Sequence, residues 1–196
     1  DRSAAVAYRR GVVEVIRGEP GELDVELVDR HGLDGIGYTP RADEAIAAWR
    51  EDAEHAASAG AWAIGLIHHS GSARFVESTV AEQIGAALKR RCEVAGVFVN
   101  APMDEVVRAA EREQLTILQL HGDEGPSFCA EAARRTGAKV IKAIRVRSAA
   151  DLRAAEAFRA DFHLLDAHHP GAPGGTGESF DWDLAAGRRP ETPVIL

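Results

Sequence analysis

Phe162-His163-Leu164-Leu165-Asp166-Ala167 is an almost continuous apolar run that stops on an acidic side chain, and beyond it the sequence opens into Gly174-Gly175-Thr176-Gly177-Glu178-Ser179-Phe180-Asp181-Trp182. A strand covered on both faces reads as such a run, because neither face needs polar residues. A carboxyl at the end of that strand is carried to whatever occupies the adjoining loops. Asp is also common in surface turns and helix caps. Its place directly after Leu165 and ahead of a glycine-rich loop makes Asp166 the first candidate for chemistry.

Working outward, the same kind of run recurs at Ala63 to Ile67, Val94 to Val99, Thr116 to Leu120, Val140 to Val146 and Val194 to Leu196. Each is too short for a helix and shows no clean alternation, as expected of buried parallel strands. Helix signals fill the intervals. Thr79-Val80-Ala81-Glu82 has capping-box spacing, and Pro102 suits a first helical turn followed by Asp104 and Glu105, where the helix dipole favours negative charge. Ser148 and Asp151 start a further helix with Leu152, Ala155 and Phe158 inward.

Strand alternating with helix specifies an α/β fold with a parallel sheet. Asn100, His121, Arg147 and Asp166 each follow the end of an apolar run. A closed barrel gathers all strand ends at one mouth, whereas an open sheet gathers ligand contacts at its switch point. The repetition therefore favours a barrel.

Residues 1–48 read differently. Val12 to Ile16 and Leu23 to Val28 have strand character around a Gly18-Glu19-Pro20-Gly21 turn, and no helix of useful length appears before about Asp43. We expect an atypical N-terminal segment over 1–48 and the main domain over 49–196.

At 196 residues the chain holds one substantial core. Its 23 basic and 31 acidic side chains leave a net charge of -8, which argues against nucleic acid and suits a small-molecule site. Two cysteines, Cys92 and Cys129, make neither a disulfide framework nor a metal cage. Reduced thiols and a cytoplasmic location are expected. No apolar run approaches the roughly 20 residues that cross a bilayer, and Asp1-Arg2-Ser3 lacks a signal pattern, so no membrane partner is expected.

The Gly174-Gly175-Thr176-Gly177 loop can bring backbone N–H groups close to a phosphate. It matches neither a dinucleotide fingerprint nor a P-loop. In Leu118-Gln119-Leu120-His121-Gly122-Asp123-Glu124, Gln119 and His121 are two apart and share a face of the strand. His121 has an equal claim to a structural hydrogen bond. His68, His69, His168 and His169 offer no i, i+4 ligand pair, so no metal is expected. Arg74, in Ser70-Gly71-Ser72-Ala73-Arg74-Phe75-Val76, has the fork geometry to hold a carboxylate, although taken alone it reads first as a solvent-exposed arginine.

Read in order, Glu51-Asp52-Ala53, Ala59-Gly60-Ala61-Trp62-Ala63-Ile64-Gly65, Ser72-Ala73-Arg74-Phe75-Val76, Gly96-Val97-Phe98-Val99-Asn100, Leu118 to Glu124, Lys142-Ala143-Ile144, and Leu165-Asp166-Ala167 with Gly174 to Trp182 resemble phosphoribosylanthranilate isomerase. The resemblance implies a (βα)8 TIM barrel of tryptophan biosynthesis. It implies an Amadori rearrangement of N-(5-phosphoribosyl)anthranilate, a phosphorylated sugar substrate, to the 1-deoxyribulose 5-phosphate product without metal or cofactor. It places the family's general acid on Asp166 and the arginine that meets the anthranilate part on Arg74. Gln119 and His121 match residues lining the mouth, and Gly174, Gly175 and Thr176 match the substrate loop.

The family's general base is a cysteine ending the first strand in a Lys-Ile-Cys-Gly-Leu-Thr type of sequence. Near the matching positions this chain reads Ala45-Ile46-Ala47. Cys92 precedes the Val94 to Val99 run, opposite the mouth, and Cys129 falls in an expected helix. Val194-Ile195-Leu196 matches the start of the family's seventh strand, so a partial barrel lacking the last βα units is expected. The alternative to isomerase activity is a noncatalytic barrel fragment that associates, as a homo-oligomer or with another chain, through an open sheet edge. A different phosphate barrel such as indole-glycerol-phosphate synthase would show a lysine and glutamate constellation at the strand ends, which the sequence does not display.

Overall fold

The computed structural model describes residues 14–17, 24–27, 42–72, 74–167 and 192–195. In chain order the elements are β1 (Glu14–Arg17), β2 (Asp24–Leu27), α1 (Ala42–Ser58), β3 (Ala63–Ile67), α2 (Ser78–Leu88), β4 (Glu93–Phe98), α3 (Met103–Arg112), β5 (Ile117–Leu120), α4 (Pro126–Thr136), β6 (Lys139–Val146), α5 (Ala149–Ala155), β7 (Phe162–Ala167) and β8 (Val194–Ile195). The strands form one sheet in the order β2-β1-β3-β4-β5-β6-β7-β8. From β3 to β8 every pairing is parallel.

The apolar runs become strands because both of their faces are covered. β3 and β5 are buried at every position. One face packs on the helices through Ile64, Leu66, Val94, Phe98, Leu118, Leu120 and Val140, joined by Val80, Ile84 and Leu88 of α2 and Val106 of α3. The opposite face carries Ala63, Ala95, Ile117, Ile141, Ala143, Phe162, Leu164 and Ile195. Each fully buried aliphatic or aromatic side chain contributes about 1.5–3 kcal/mol relative to exposure.

The second face is the inside of a curve. Trp62, just ahead of β3, meets Phe162 of β7 edge-on with ring centroids 5.3 Å apart. In a flat sheet these strands would stand about 19 Å apart, at 4.7–4.9 Å per spacing. Only a rolled sheet brings the rings together, and they close the end of the barrel at which its strands begin.

The N-terminal segment joins this sheet in the opposite sense. β1 and β2 pair antiparallel, and β1 also pairs antiparallel with β3, Val15 standing opposite Ile64. The two expected strands are therefore present, paired with each other and placed on the β3 edge, and the expected Gly18-Glu19-Pro20-Gly21 turn lies outside the described residues. The first helix begins at Ala42.

Helix starts follow the sequence unevenly. Ser148 and Asp151 make the expected capping box: Ser148 Oγ accepts from Ala150 N at 3.3 Å, and Asp151 Oδ2 accepts from Ser148 N at 2.9 Å. Asp104 and Glu105 occupy the first turn of α3, with Pro102 at its N-cap. The box expected at Thr79 is not formed. Val76 N donates to Ile67 O at 2.9 Å, so the chain leaves the sheet at Val76 and the N-cap falls on Glu77. Thr79 is already inside the first turn, where its hydroxyl is no longer a cap.

Candidate active site

Side-chain parity decides which polar groups enter the barrel. In a parallel ladder, paired residues point to the same face. Gln119 pairs with Ile141, Ile141 with Phe162, and Arg145 with Asp166. Gln119, His121, Arg145 and Asp166 therefore lie on the interior side, at the end where strands terminate.

Three of the expected residues converge there. Gln119 Nε2 lies 3.3 Å from His121 Nδ1, and His121 Nε2 lies 3.2 Å from Asp166 Oδ2. The chain of contacts crosses from β5 to β7 over β6, a distance of about 10 Å between strand axes. Gln119 is 1% exposed, while the side chains of His121 and Asp166 are 23% and 18% exposed. With the Gln119 amide nitrogen towards Nδ1, the imidazole proton sits on Nε2 and is donated to the Asp166 carboxylate. The acid expected from sequence is thus held by a histidine whose tautomer a buried amide selects.

Arg74 lies beyond β3 at the same end of the sheet, its backbone N–H donating to Ser72 Oγ at 3.1 Å. It is half-buried. Gly174, Gly175 and Thr176 lie outside the described residues. Arg145 was missed: it sits in the run Val140 to Val146, where strand patterning gives no sign that its alternate face opens on the mouth. Its guanidinium reaches Asp123 Oδ1 and His121 O at 3.5 Å each. Arg145 gives the mouth a cationic group in a chain of net charge -8, a local bias that favours an anionic ligand.

His68 faces the helix layer instead. Its Nε2 lies 2.8 Å from the buried Glu113 Oε2, and its ring stacks on Phe98 at 4.8 Å. Neither described cysteine is an activated thiol. Burial pushes the Cys92 thiol up to about 11, with Arg91 opposing and Glu93 adding to the effect. Burial also raises Cys129, against the neighbouring charge of Lys142. Ala45, Ile46 and Ala47 lie in α1. Among the described residues no group of His, Cys, Asp and Glu is placed to hold a metal ion, and no helix is long and apolar enough to cross a membrane.

The sequence profile of the family described as N-(5'phosphoribosyl)anthranilate (PRA) isomerase matches residues 42–196. N-(5'-phosphoribosyl)anthranilate isomerase of Geobacter metallireducens is 44% identical over 146 residues, covering 74% of this chain and 70% of the relative. The crystal structure of phosphoribosyl anthranilate isomerase from Thermotoga maritima superposes with a TM-score of 0.62 at 35% identity, covering 68% of this chain and 64% of that one. A phosphoribosyl anthranilate isomerase solved in complex with reduced 1-(o-carboxyphenylamino)-1-deoxyribulose 5-phosphate superposes with a TM-score of 0.56 at 33% identity, covering 60% of each chain. The matched part spans less than two thirds of these solved structures. The strand and helix order, the rolled parallel sheet and these likenesses bear out the expected barrel architecture, in part form. With Asp166 at the end of β7 and the profile running from α1 onward, the chain belongs to the N-(5'-phosphoribosyl)anthranilate isomerase family.

Proposed function

We propose that the chain catalyses the Amadori rearrangement of N-(5'-phosphoribosyl)anthranilate in tryptophan biosynthesis, with Asp166 as the general acid. The observation that carries this is the Asp166 carboxyl, presented on the interior face at a strand end and held 3.2 Å from His121. Its proton goes to the ribose ring oxygen. The bond from C1 to that oxygen breaks, and the nitrogen lone pair forms the C1=N double bond of an iminium. Loss of the C2 proton then sends its electron pair into C1=C2 and returns the nitrogen to neutrality, giving an enolamine that tautomerises to the 2-ketose. Neither hydride nor metal enters this balance.

His121 supports the first half by holding Asp166 Oδ2 through its Nε2–H, and the carboxyl takes its proton back from solvent between turnovers. Arg74 and Arg145 suit the anthranilate carboxylate and the phosphate, and the Gly174-Gly175-Thr176 loop is the further element proposed for the substrate. The C2 step needs a base, and in this chain water takes that proton. Cys92 is at the wrong end of the barrel, and both described thiols are held in the protonated form. Product formation from N-(5'-phosphoribosyl)anthranilate by the purified chain, lost in Asp166→Asn, is the result expected.

A second reading is a noncatalytic barrel unit that pairs with another copy through a sheet edge. It is favoured by the position of β2 and β8 at the two edges of the described sheet, since an uncovered edge is a template for pairing. Gel filtration beside the assay separates the two: an active monomer excludes pairing as the role, and an inactive oligomer excludes catalysis.

A further inference from the structure

Lys142 and Glu124 form a buried ion pair that no step above uses. Their Nζ and Oε2 atoms are 3.0 Å apart, with side chains 4% and 3% exposed. Both carry their charge out of water, a cost that their mutual attraction alone does not reliably repay. Apolar residues of the same size would stabilise this layer at least as well. The pair is better explained by the geometry it imposes.

That geometry centres on His121. Lys142 Nζ donates to Leu120 O at 2.9 Å and to Gly122 O at 2.7 Å, the carbonyls on either side of His121. Glu124 Oε2 accepts from Gly122 N at 2.9 Å, and Oε1 accepts from Asn100 N at 2.7 Å. His121 N donates to Phe98 O at 2.8 Å. The backbone from 120 to 122 is therefore tied to β4, β6 and its own loop at successive positions. Gly122 is pressed against Asn100 so closely that a Cβ would stand 2.5 Å from Asn100 Oδ1 and 2.7 Å from Asn100 N.

The pair works from behind the site. Lys142 alternates with the interior residues Ile141 and Ala143 and lies under Phe158, 5.9 Å from the ring centroid, on the helix side of the sheet. A lysine and glutamate do stand together near the strand ends, but neither faces the mouth. We infer that Lys142 and Glu124 are positioning residues: a charged clamp that fixes the backbone of Leu120 to Gly122 and so holds the His121 imidazole against Asp166. Its effect on turnover rests on Asp166 being the acid, whereas its effect on the geometry of His121 does not.

The test reads that geometry directly. In the whole chain, Asp166→Asn is expected to move the His121 ring nitrogen resonances in 15N spectra. In a Lys142→Met/Glu124→Gln background, and in Glu124→Gln alone, the response is expected to fall to a third or less. In a Lys139→Met/Glu93→Gln background, where a lysine–glutamate pair 2.7 Å apart is removed from the opposite end of the barrel, it is expected to persist. Equal responses in the clamp and control backgrounds would overturn the inference. Should the clamp variants fail to fold, amide exchange of the native chain decides: Asn100 and Gly122 N–H as protected as the amides of β5 support the clamp, and loop-like exchange rejects it.

In the assay, loss of the clamp is expected to lower kcat on the order of 10- to 100-fold with KM within threefold, as misplacement of a proton-handling group does. A merely structural pair would lower Tm and leave kcat per folded molecule unchanged. Absence of turnover in the native chain would count against the proposed function while leaving the resonance comparison standing.

Discussion

The two ends of the rolled sheet spend similar residue types on different tasks. At the mouth, Lys142 and Glu124 are buried and bonded to backbone, and Gln119, His121 and Asp166 touch in sequence. At the floor, Lys139 and Glu93 make an equally short pair, 2.7 Å, but remain 47% and 25% exposed, and Trp62 and Phe162 close the interior with apolar surface. Lys139 and Lys142 stand on one strand, three positions apart. The contrast shows that burial and backbone contact, rather than the presence of an ion pair, mark where the fold fixes geometry for chemistry.

The sharpest way to break the contrast is at the mouth. Asp166→Asn keeps the shape of the side chain and removes the acid, and should lower kcat/KM by about 10²–10⁴-fold, the usual contribution of general acid catalysis, with an unchanged melting temperature. Arg74→Met tests the cationic rim. It should raise KM about 10-fold or more with a smaller change in kcat, as expected when a charged hydrogen bond of about 1.5–3 kcal/mol is lost. An unchanged KM would remove Arg74 from the substrate site.

At the floor the same assay should barely respond. Trp62→Ala removes half of the Trp62–Phe162 contact, and a cost of about 2 kcal/mol is expected by denaturant unfolding, below the 3–5 kcal/mol of a fully buried ring. Its kcat should stay within twofold of native. A large kcat loss there would show that the two ends are coupled.

The smallest effect belongs to the exposed pair. Burial raises the Glu93 carboxyl, but hydrogen bonds from Lys139 and Thr116 and the Lys139 charge outweigh it, so the group ends below its ordinary 4.5. A lowered carboxyl stabilises the fold above its unfolded value and loses that contribution as pH falls through its folded one. Glu93→Gln should therefore cost less than about 1 kcal/mol at pH 7, and its stability curve should converge on the native one as pH falls below the ordinary carboxylate range. A difference that widened on acidification would contradict the direction of the shift.

The sequence made the floor-to-mouth direction of most strands legible, because double-sided burial writes a strand as an apolar run and a polar residue then marks its end. His121 and Asp166 were visible for that reason. Their contact was not, since it depends on the registers of β5, β6 and β7 acting together. Lys142 and Glu124 both fall in blocks that carry the family resemblance, but nothing in the sequence joins them; only the β5–β6 register brings them together under His121. Arg145 shares the interior face of β6 with Ile141, yet in sequence it looks like any charge at a strand end. The N-terminal strand pair was half legible: Gly18-Glu19-Pro20-Gly21 separates strand-like runs, but nothing local says that β1 will run antiparallel to β3. The Thr79 box misled because the capping pattern is short and the end of a loop is set by its sheet contacts.

The Trp62–Phe162 contact also orders events in time. About 100 residues separate the two rings, and ribosomes add roughly 5–20 residues per second. The inner face of β3 thus waits on the order of 5–20 s, and that of β5 about half as long, before Phe162 exists to close the floor over Ala63, Ala95 and Ile117. Helices α2 and α3 can cover the outer face as they emerge, because their contacts are local. The barrel interior, where the proton-handling groups sit, is therefore the last compartment to become dry, and its assembly depends on the late strands β7 and β8 bringing Phe162 and Ile195 to an early tryptophan's side of the sheet.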